Sequence, residues 1–165
     1  MARLKSITIE NYRSIKDAVT INFPENMPVI LIGENNSGKS NIIRAIDIMF
    51  GEYHPKYKDF DDHDYFGRNP DDGTTIRINV EVKDFKNRIG KNNVECIGFL
   101  FEKSKHQEPK YLAIDCYKEE NKYIKNELRE ELSAVWISSE QNLTYQLSYS
   151  SKYTLLSKVT KAFHE

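Results

Sequence analysis

Cysteine is scarce in this chain of 165 residues: Cys96 and Cys116 are the only two. Both sit inside apolar, strand-like runs. Without further cysteines or spaced histidines they build neither a disulfide framework nor a zinc site, and they read as reduced core thiols. A surplus of one charge is also missing, since 24 basic residues face 25 acidic ones for a net charge of −1. Such a balance excludes a globally basic nucleic-acid surface, so contact with DNA would need a local patch or parts outside this chain. No apolar run approaches the length of a membrane span. The start, Met1-Ala2-Arg3-Leu4-Lys5, has no apolar signal core. These two absences predict a cytoplasmic protein with no membrane partner. Internal repeats, low-complexity tracts and linkers are absent too, and the length suits one domain over residues 1–165 with a sizeable core.

What is present is a phosphate-binding pattern. Residues 33 to 40 read Gly33-Glu34-Asn35-Asn36-Ser37-Gly38-Lys39-Ser40, a full match to G-x-x-x-x-G-K-[ST]. The glycines, Gly33 and Gly38, are expected to adopt backbone angles that a side chain would forbid, so that the loop curls with its N–H groups inward. Lys39 would reach the β- and γ-phosphates, and the Ser40 hydroxyl would ligate Mg²⁺. Asn35, Asn36, Ser37 and Asn41 complete the expected nucleotide-binding set. The flanks agree. Val29-Ile30-Leu31-Ile32 has the all-apolar look of a strand buried on both faces. Ile42, Ile46, Met49 and Phe50 recur at helical spacing, with Arg44 and Asp47 opposite and Gly51 as a C-terminal stop. Strand, glycine loop and helix follow in the order the chemistry needs, and the helix N-terminus adds partial positive charge beneath the phosphates.

Around this core the sequence predicts mostly strands. Leu4 to Tyr12 alternates, with Ile7 and Ile9 on one side, and Val19, Ile21 and Phe23 share a side of a second strand after a turn at residues 14–17. The P-loop would then follow the third strand. Residues 51–73 are turn-rich and acidic and read as an ordered surface loop with one helical turn. Its cluster Asp59, Asp61, Asp62, His63 and Asp64 reads as a solvated loop in preference to a divalent-metal site. Thr75 to Val82, Glu95 to Phe101 and Tyr111 to Tyr117 suggest an antiparallel meander. A charged stretch from Lys118 to Glu131 holds one further strand at Tyr123-Ile124. Ala134 to Ile137 is a core-type run, and Leu155, Leu156, Val159 and Phe163 have helical spacing.

The class of P-loop protein depends on what accompanies the loop. A GTPase needs an Asn-Lys-x-Asp base reader, and Asn121-Lys122-Tyr123-Ile124 lacks its carboxylate. A small kinase would carry arginine-rich lids and the P-loop on its first strand. The best Walker B carboxylate, Asp115 after Leu112-Ala113-Ile114, is followed by a cysteine and lies in an alternating run typical of a solvated strand face; Asp84 is weaker. The residues thus provide for gripping phosphate without convincing hydrolysis machinery. A self-contained kinase or GTPase using Asp115, or a non-catalytic docking subunit, is the alternative.

The run Ile7-Thr8-Ile9-Glu10-Asn11-Tyr12-Arg13-Ser14-Ile15, followed by Val19 to Phe23 and Val29 to Ala45, resembles the N-terminal lobe of SMC-like, ABC-type ATPase heads. Within that group the sequence is most similar to OLD-family (overcoming lysogenization defect) proteins, in which an ABC-type ATPase is joined to a Toprim nuclease, commonly in anti-phage defence. Residues 136–143 and 145–153 fit the same family. The resemblance implies an α/β P-loop fold, with a mixed sheet around the P-loop helix and an antiparallel β-meander. It implies ATP and Mg²⁺ as cofactors, a second ATPase head completing the site, and DNA as a partner of the parent protein. It also implies that this chain is the N-terminal piece of a longer protein, because the signature motif, the Walker B pair and the nuclease acids lie further on in the family. By position, Gln141 matches the Q-loop residue that ligates Mg²⁺, and Arg13 matches an arginine near the nucleotide phosphates.

Overall fold

The computed structural model describes residues 2–51, 53–84, 88–89, 92–103, 110–115 and 118–124, together with positions 129, 131, 154, 156, 157 and 160. For residues 88–89, 92–93, 110–115 and 118–123 the description is of backbone only. In chain order the elements are β1 (Arg3–Glu10), β2 (Val19–Asn22), α1 (Lys39–Phe50), β3 (Thr75–Lys83), β4 (Arg88–Ile89), β5 (Asn92–Asn93), β6 (Cys96–Glu102), β7 (Lys110–Asp115) and β8 (Lys118–Tyr123). Three short 3-10 turns, Pro55–Tyr57, Asp62–Asp64 and Phe66–Arg68, lie between α1 and β3.

One sheet of six strands runs in the order β2-β1-β3-β6-β7-β8, and every neighbouring pair is antiparallel. The meander foreseen from alternation is therefore the main sheet itself. The expected mixed sheet is corrected, since the described strands contain no parallel pair. Its register explains the core. Ile7 pairs with Val80 and Ile9 with Ile78, while Val80 and Ile78 face Ile97 and Phe99 across β6. All six are fully buried. Each such side chain contributes about 1.5–3 kcal/mol by leaving water. Leu4 lies an odd number of residues from Ile7, so strict alternation would put it on the opposite face. A bulge between Leu4 and Ser6 absorbs the extra residue and returns Leu4 to the core side. The other face is polar. Thr8 and Thr20 share a hydroxyl hydrogen bond of 2.8 Å, and Lys5–Glu81 and Arg77–Glu10 pair at 2.6 and 3.6 Å. One wet and one dry face is the usual bargain of an antiparallel sheet.

Helix α1 covers the dry face with Ala45, Ile48, Met49 and Phe50, and it packs against β1. The buried stripe is broader than the expected one, and Ile42 and Ile46 lie at its margin. The loop that follows adds Phe60, whose ring lies 5.3 Å from Phe99 and 4.8 Å from Phe101, and the buried Tyr65. Arg129 reaches back to the helix C-terminus. Its Nε donates to the Met49 carbonyl at 3.2 Å, and its terminal nitrogen donates to the carbonyls of Gly51 and of Tyr53, the latter at 2.6 Å. A buried cation there satisfies carbonyls the helix cannot, and meets its negative end.

Three expectations change. Val29 to Ile32 forms no strand and is not buried: Ile30 is 75% and Ile32 90% exposed. A strand needs a hydrogen-bonding neighbour, and no described segment pairs with this one. Gly51 ends α1 with φ −69°, an ordinary extended conformation, so it is not a left-handed cap. Glycine is required there by space, because a Cβ would stand 2.4 Å from the Asp47 carbonyl oxygen. The charged run 118–123 is wholly strand, longer than the Tyr123-Ile124 pair read from apolar residues. As an edge strand, it tolerates charge. Cys96 is buried. Cys116, the run 134–137 and Gln141 lie outside the described residues.

Candidate nucleotide-binding site

The loop from Gly33 to Gly38 joins an extended segment to the first turn of α1. Ser37 N–H donates to the Glu34 carbonyl at 3.2 Å, and the Asn41 and Ile42 N–H groups close the first turn onto the Gly38 carbonyl at 2.9 and 3.1 Å. Asn36 and Gly38 are left-handed, with φ of 66° and 93°. Asparagine tolerates that region and glycine is indifferent to it. Gly33 does not have a positive φ, against expectation. Its need for glycine is steric, since a Cβ would lie 2.7 Å from the Ser37 hydroxyl.

Lys39 closes this curl. Its ammonium donates to the carbonyls of Gly33 and Glu34 at 2.8 and 2.7 Å, and reaches the Ser37 hydroxyl at 3.3 Å. Two of the loop's carbonyls thus point at the lysine. Helix α1 has no side-chain N-cap among the described residues and no acid in its first turn. Residues Gly33 to Ser37 and the Ser40 side chain are exposed, and Gly38 is buried beneath them. The arrangement fits a phosphate chain: an open cradle, an uncapped helix end and a tethered cation. It fits Mg²⁺ through the Ser40 hydroxyl and the phosphate oxygens. Among the described residues no three acids, cysteines or histidines converge on a metal site.

The turn after β1 stands beside this loop. Asn11 and Arg13 are left-handed at φ 54° and 52°, and Tyr12 and Ile15 exchange backbone hydrogen bonds of 2.9 Å across the turn. An arginine in that conformation costs about 1–2 kcal/mol, so the surroundings must hold it. They do so at Asp64. The Arg13 N–H donates to the Asp64 carbonyl at 2.8 Å, and the guanidinium pairs with the Asp64 carboxylate at 2.6 Å. Tyr12 bridges Tyr65 in the same place, and both rings are buried. On the other side of the turn the Ser14 hydroxyl accepts from Asn41 Nδ2 at 2.9 Å and lies 3.0 Å from where a Gly38 Cβ would stand.

Asp64 is therefore not a solvated loop acid as expected. It is buried, and its second oxygen accepts from the Asp61 N–H at 3.3 Å in a capping box. The loop is also tied to the sheet by an ion pair between Asp62 and Lys103. Burial, then the nearby Asp62, Asp64 and Glu102 carboxylates, push the Tyr65 phenol up to about 12. Spelled in sequence, Asp64-Tyr65-Phe66-Gly67 has the D-x-x-G spacing of a GTPase switch. Its carboxylate is spent on Arg13, and the base reader is still incomplete. Neither Ser14 nor Arg129 announces its partner in the sequence, because those partners lie 27 and about 80 residues away.

Two expected carboxylates stand elsewhere. Asp84 pairs with Arg3 at 2.8 Å, and that pairing holds its carboxyl below the usual range. Asp115 closes β7, which is separated from β1 by β3 and β6, whereas α1 packs on β1 itself.

A stretch of 47 residues is 49% identical to the DNA replication and repair protein RecF of Rickettsia felis, covering 28% of this chain and 12% of that protein. The RecF proteins of Rickettsia massiliae and Rickettsia prowazekii match over the same length at 47%. The chain thus matches only about an eighth of the length of these relatives. A family model described as an AAA ATPase domain matches residues 3–163. The chain belongs to that family of AAA ATPase domains, with weaker, local similarity to RecF.

Proposed function

We propose that this chain is the nucleotide-gripping lobe of an SMC-like ATPase head, with Gly33 to Asn41 holding the phosphates of ATP and Ser40 holding Mg²⁺. The observation that carries this is Lys39 tethered to its own loop at the uncapped N-terminus of α1. Mg²⁺, held through the Ser40 hydroxyl, would neutralise phosphate charge. The chain's own work is to bind and orient. Lys39 would exchange loop carbonyls for phosphate oxygens, and backbone N–H groups at the start of α1 would donate to the anion. Arg13, in the turn beside the loop, is assigned to the terminal phosphate on the sequence resemblance. We assign cleavage to a composite site completed by a second head, with Gln141 of this chain as the Q-loop ligand that the sequence resemblance implies. The position of Asp115 away from α1 disfavours a self-contained kinase or GTPase.

The role in DNA replication and repair that the RecF relatives are named for supports a DNA-directed parent protein. An OLD-like nuclease partner module and a part in anti-phage defence rest on the sequence resemblance alone. The same holds for the paired heads, whereas the proposed cytoplasmic location rests on the lack of an apolar signal core and of a membrane-length apolar run. No helix among the described residues is long and apolar enough to cross a membrane.

Titration of the purified chain with a fluorescent ATP analogue and Mg²⁺ tests the reading. Saturable binding is expected, weakened at least tenfold by Lys39→Ala, with negligible turnover. Binding that Lys39→Ala leaves intact would overturn the site. Robust hydrolysis by the chain alone would overturn the composite-site reading.

A further inference from the structure

We propose that Asp64 is a positioning residue for the phosphate loop, acting through the turn at Arg13 and Ser14; this rests on the nucleotide site proposed above. The contacts run in a short series. The Asp64 carboxylate is fixed first by the Asp61 N–H and by its own burial. It then holds the Arg13 guanidinium, while its carbonyl takes the Arg13 N–H, so side chain and backbone are clamped at one residue. The next residue is Ser14. Its hydroxyl takes the Asn41 amide from the first turn of α1, and it abuts Gly38, the buried left-handed residue on which the loop pivots.

The acidic loop therefore sets where the Ser14 hydroxyl stands, and that hydroxyl sets the pivot of the cradle. Arg13 in a left-handed conformation would relax without the Asp64 clamp. Relaxation would rotate the peptide that carries Ser14 and free Gly38 and Asn41. The loop from Asp59 to Arg68 is itself anchored to the sheet through Lys103 and the Phe60 and Tyr65 rings. Movement of that loop by any partner would thus be transmitted to phosphate affinity without contact with the nucleotide.

The test uses a fluorescent ADP analogue with Mg²⁺ and the full chain. ADP lacks the terminal phosphate, so any direct contact from Arg13 to that group goes unread and only the grip of the loop is measured. Asp64→Asn and Ser14→Ala are each expected to weaken ADP binding roughly three- to tenfold, and the double variant to be no weaker than the worse single one. That coupling between residues on opposite sides of the turn is a signature a general loss of structure would not give. Ser14 is exposed, so Ser14→Ala keeps the cycle informative about the pivot even where Asp64→Asn lowers the melting temperature. Unchanged ADP affinity in Asp64→Asn, or losses that multiply in the double variant, would overturn the inference while the Lys39→Ala result leaves the site standing. Wild-type chain that binds no ADP overturns both.

Discussion

At the residue scale, the glycines show how the same letter serves different needs. Gly38 is glycine because its φ is 93° and the Ser14 hydroxyl crowds its missing Cβ. Gly33 and Gly51 have ordinary angles and are glycine for space alone. The pattern G-x-x-x-x-G-K-S marks two of these positions without telling the reasons apart. Gly51→Ala makes the sharpest prediction, since its Cβ would stand 2.2 Å from the Asp47 carboxylate and 2.4 Å from its carbonyl oxygen. The carboxylate can swing away, but the carbonyl belongs to the helix. The end of α1 must shift, at a cost of about 1–3 kcal/mol, which chemical denaturation would detect. A loss below about 0.5 kcal/mol would show that the helix end gives freely.

At the scale of elements, the acidic loop after α1 joins the P-loop helix to the sheet. His54 begins its first 3-10 turn, and its Nδ1 accepts from the Lys56 N–H at 3.1 Å, which requires a neutral ring nitrogen. Burial, then the positive charge of Arg129, lowers its pKa from the usual 6.5, against a hydrogen bond to the Ile124 backbone. The unfolded chain therefore binds this proton more readily than the folded one. The associated stability is full above about pH 6.5 and is lost as pH falls through the depressed folded value. A melting temperature that drops between pH 7 and pH 5 is expected, with a smaller drop in His54→Asn, which keeps an acceptor for Lys56. The depressed carboxyls of Glu81 and Asp84 release their contribution only at lower pH, near and below 4, and do not blur that window. Equal drops in both proteins would remove His54 as the cause.

At the scale of the whole molecule, the one-sided sheet leaves an imbalance at the phosphate loop. Val29, Ile30 and Ile32 are apolar and exposed immediately before the cradle, on a chain with a net charge of only −1. Exposed apolar surface with little net charge to oppose contact favours association. Sedimentation should show self-association that rises with concentration and falls in the Ile30→Ser, Ile32→Ser double variant. Because neither side chain is packed, stability should stay within about 0.5 kcal/mol. A large loss of stability would mean that the run is buried in solution.

The sequence determined the phosphate loop, the alternating strands β1, β3 and β6 and the amphipathic helix, because each is a local pattern whose period or spacing fixes backbone shape. It also drew attention to Arg13 and the acidic cluster as residues with chemistry. Only the tertiary structure decided that Asp64 is buried against Arg13, that Ser14 touches the loop pivot, that Arg129 closes α1, and that Val29 to Ile32 has no neighbour among the described strands. Those outcomes depend on segments between 27 and about 80 residues apart meeting in space. Local pattern cannot encode which distant partner satisfies a buried charge or an open strand edge. Packing of the sheet against α1 and its loop makes that choice.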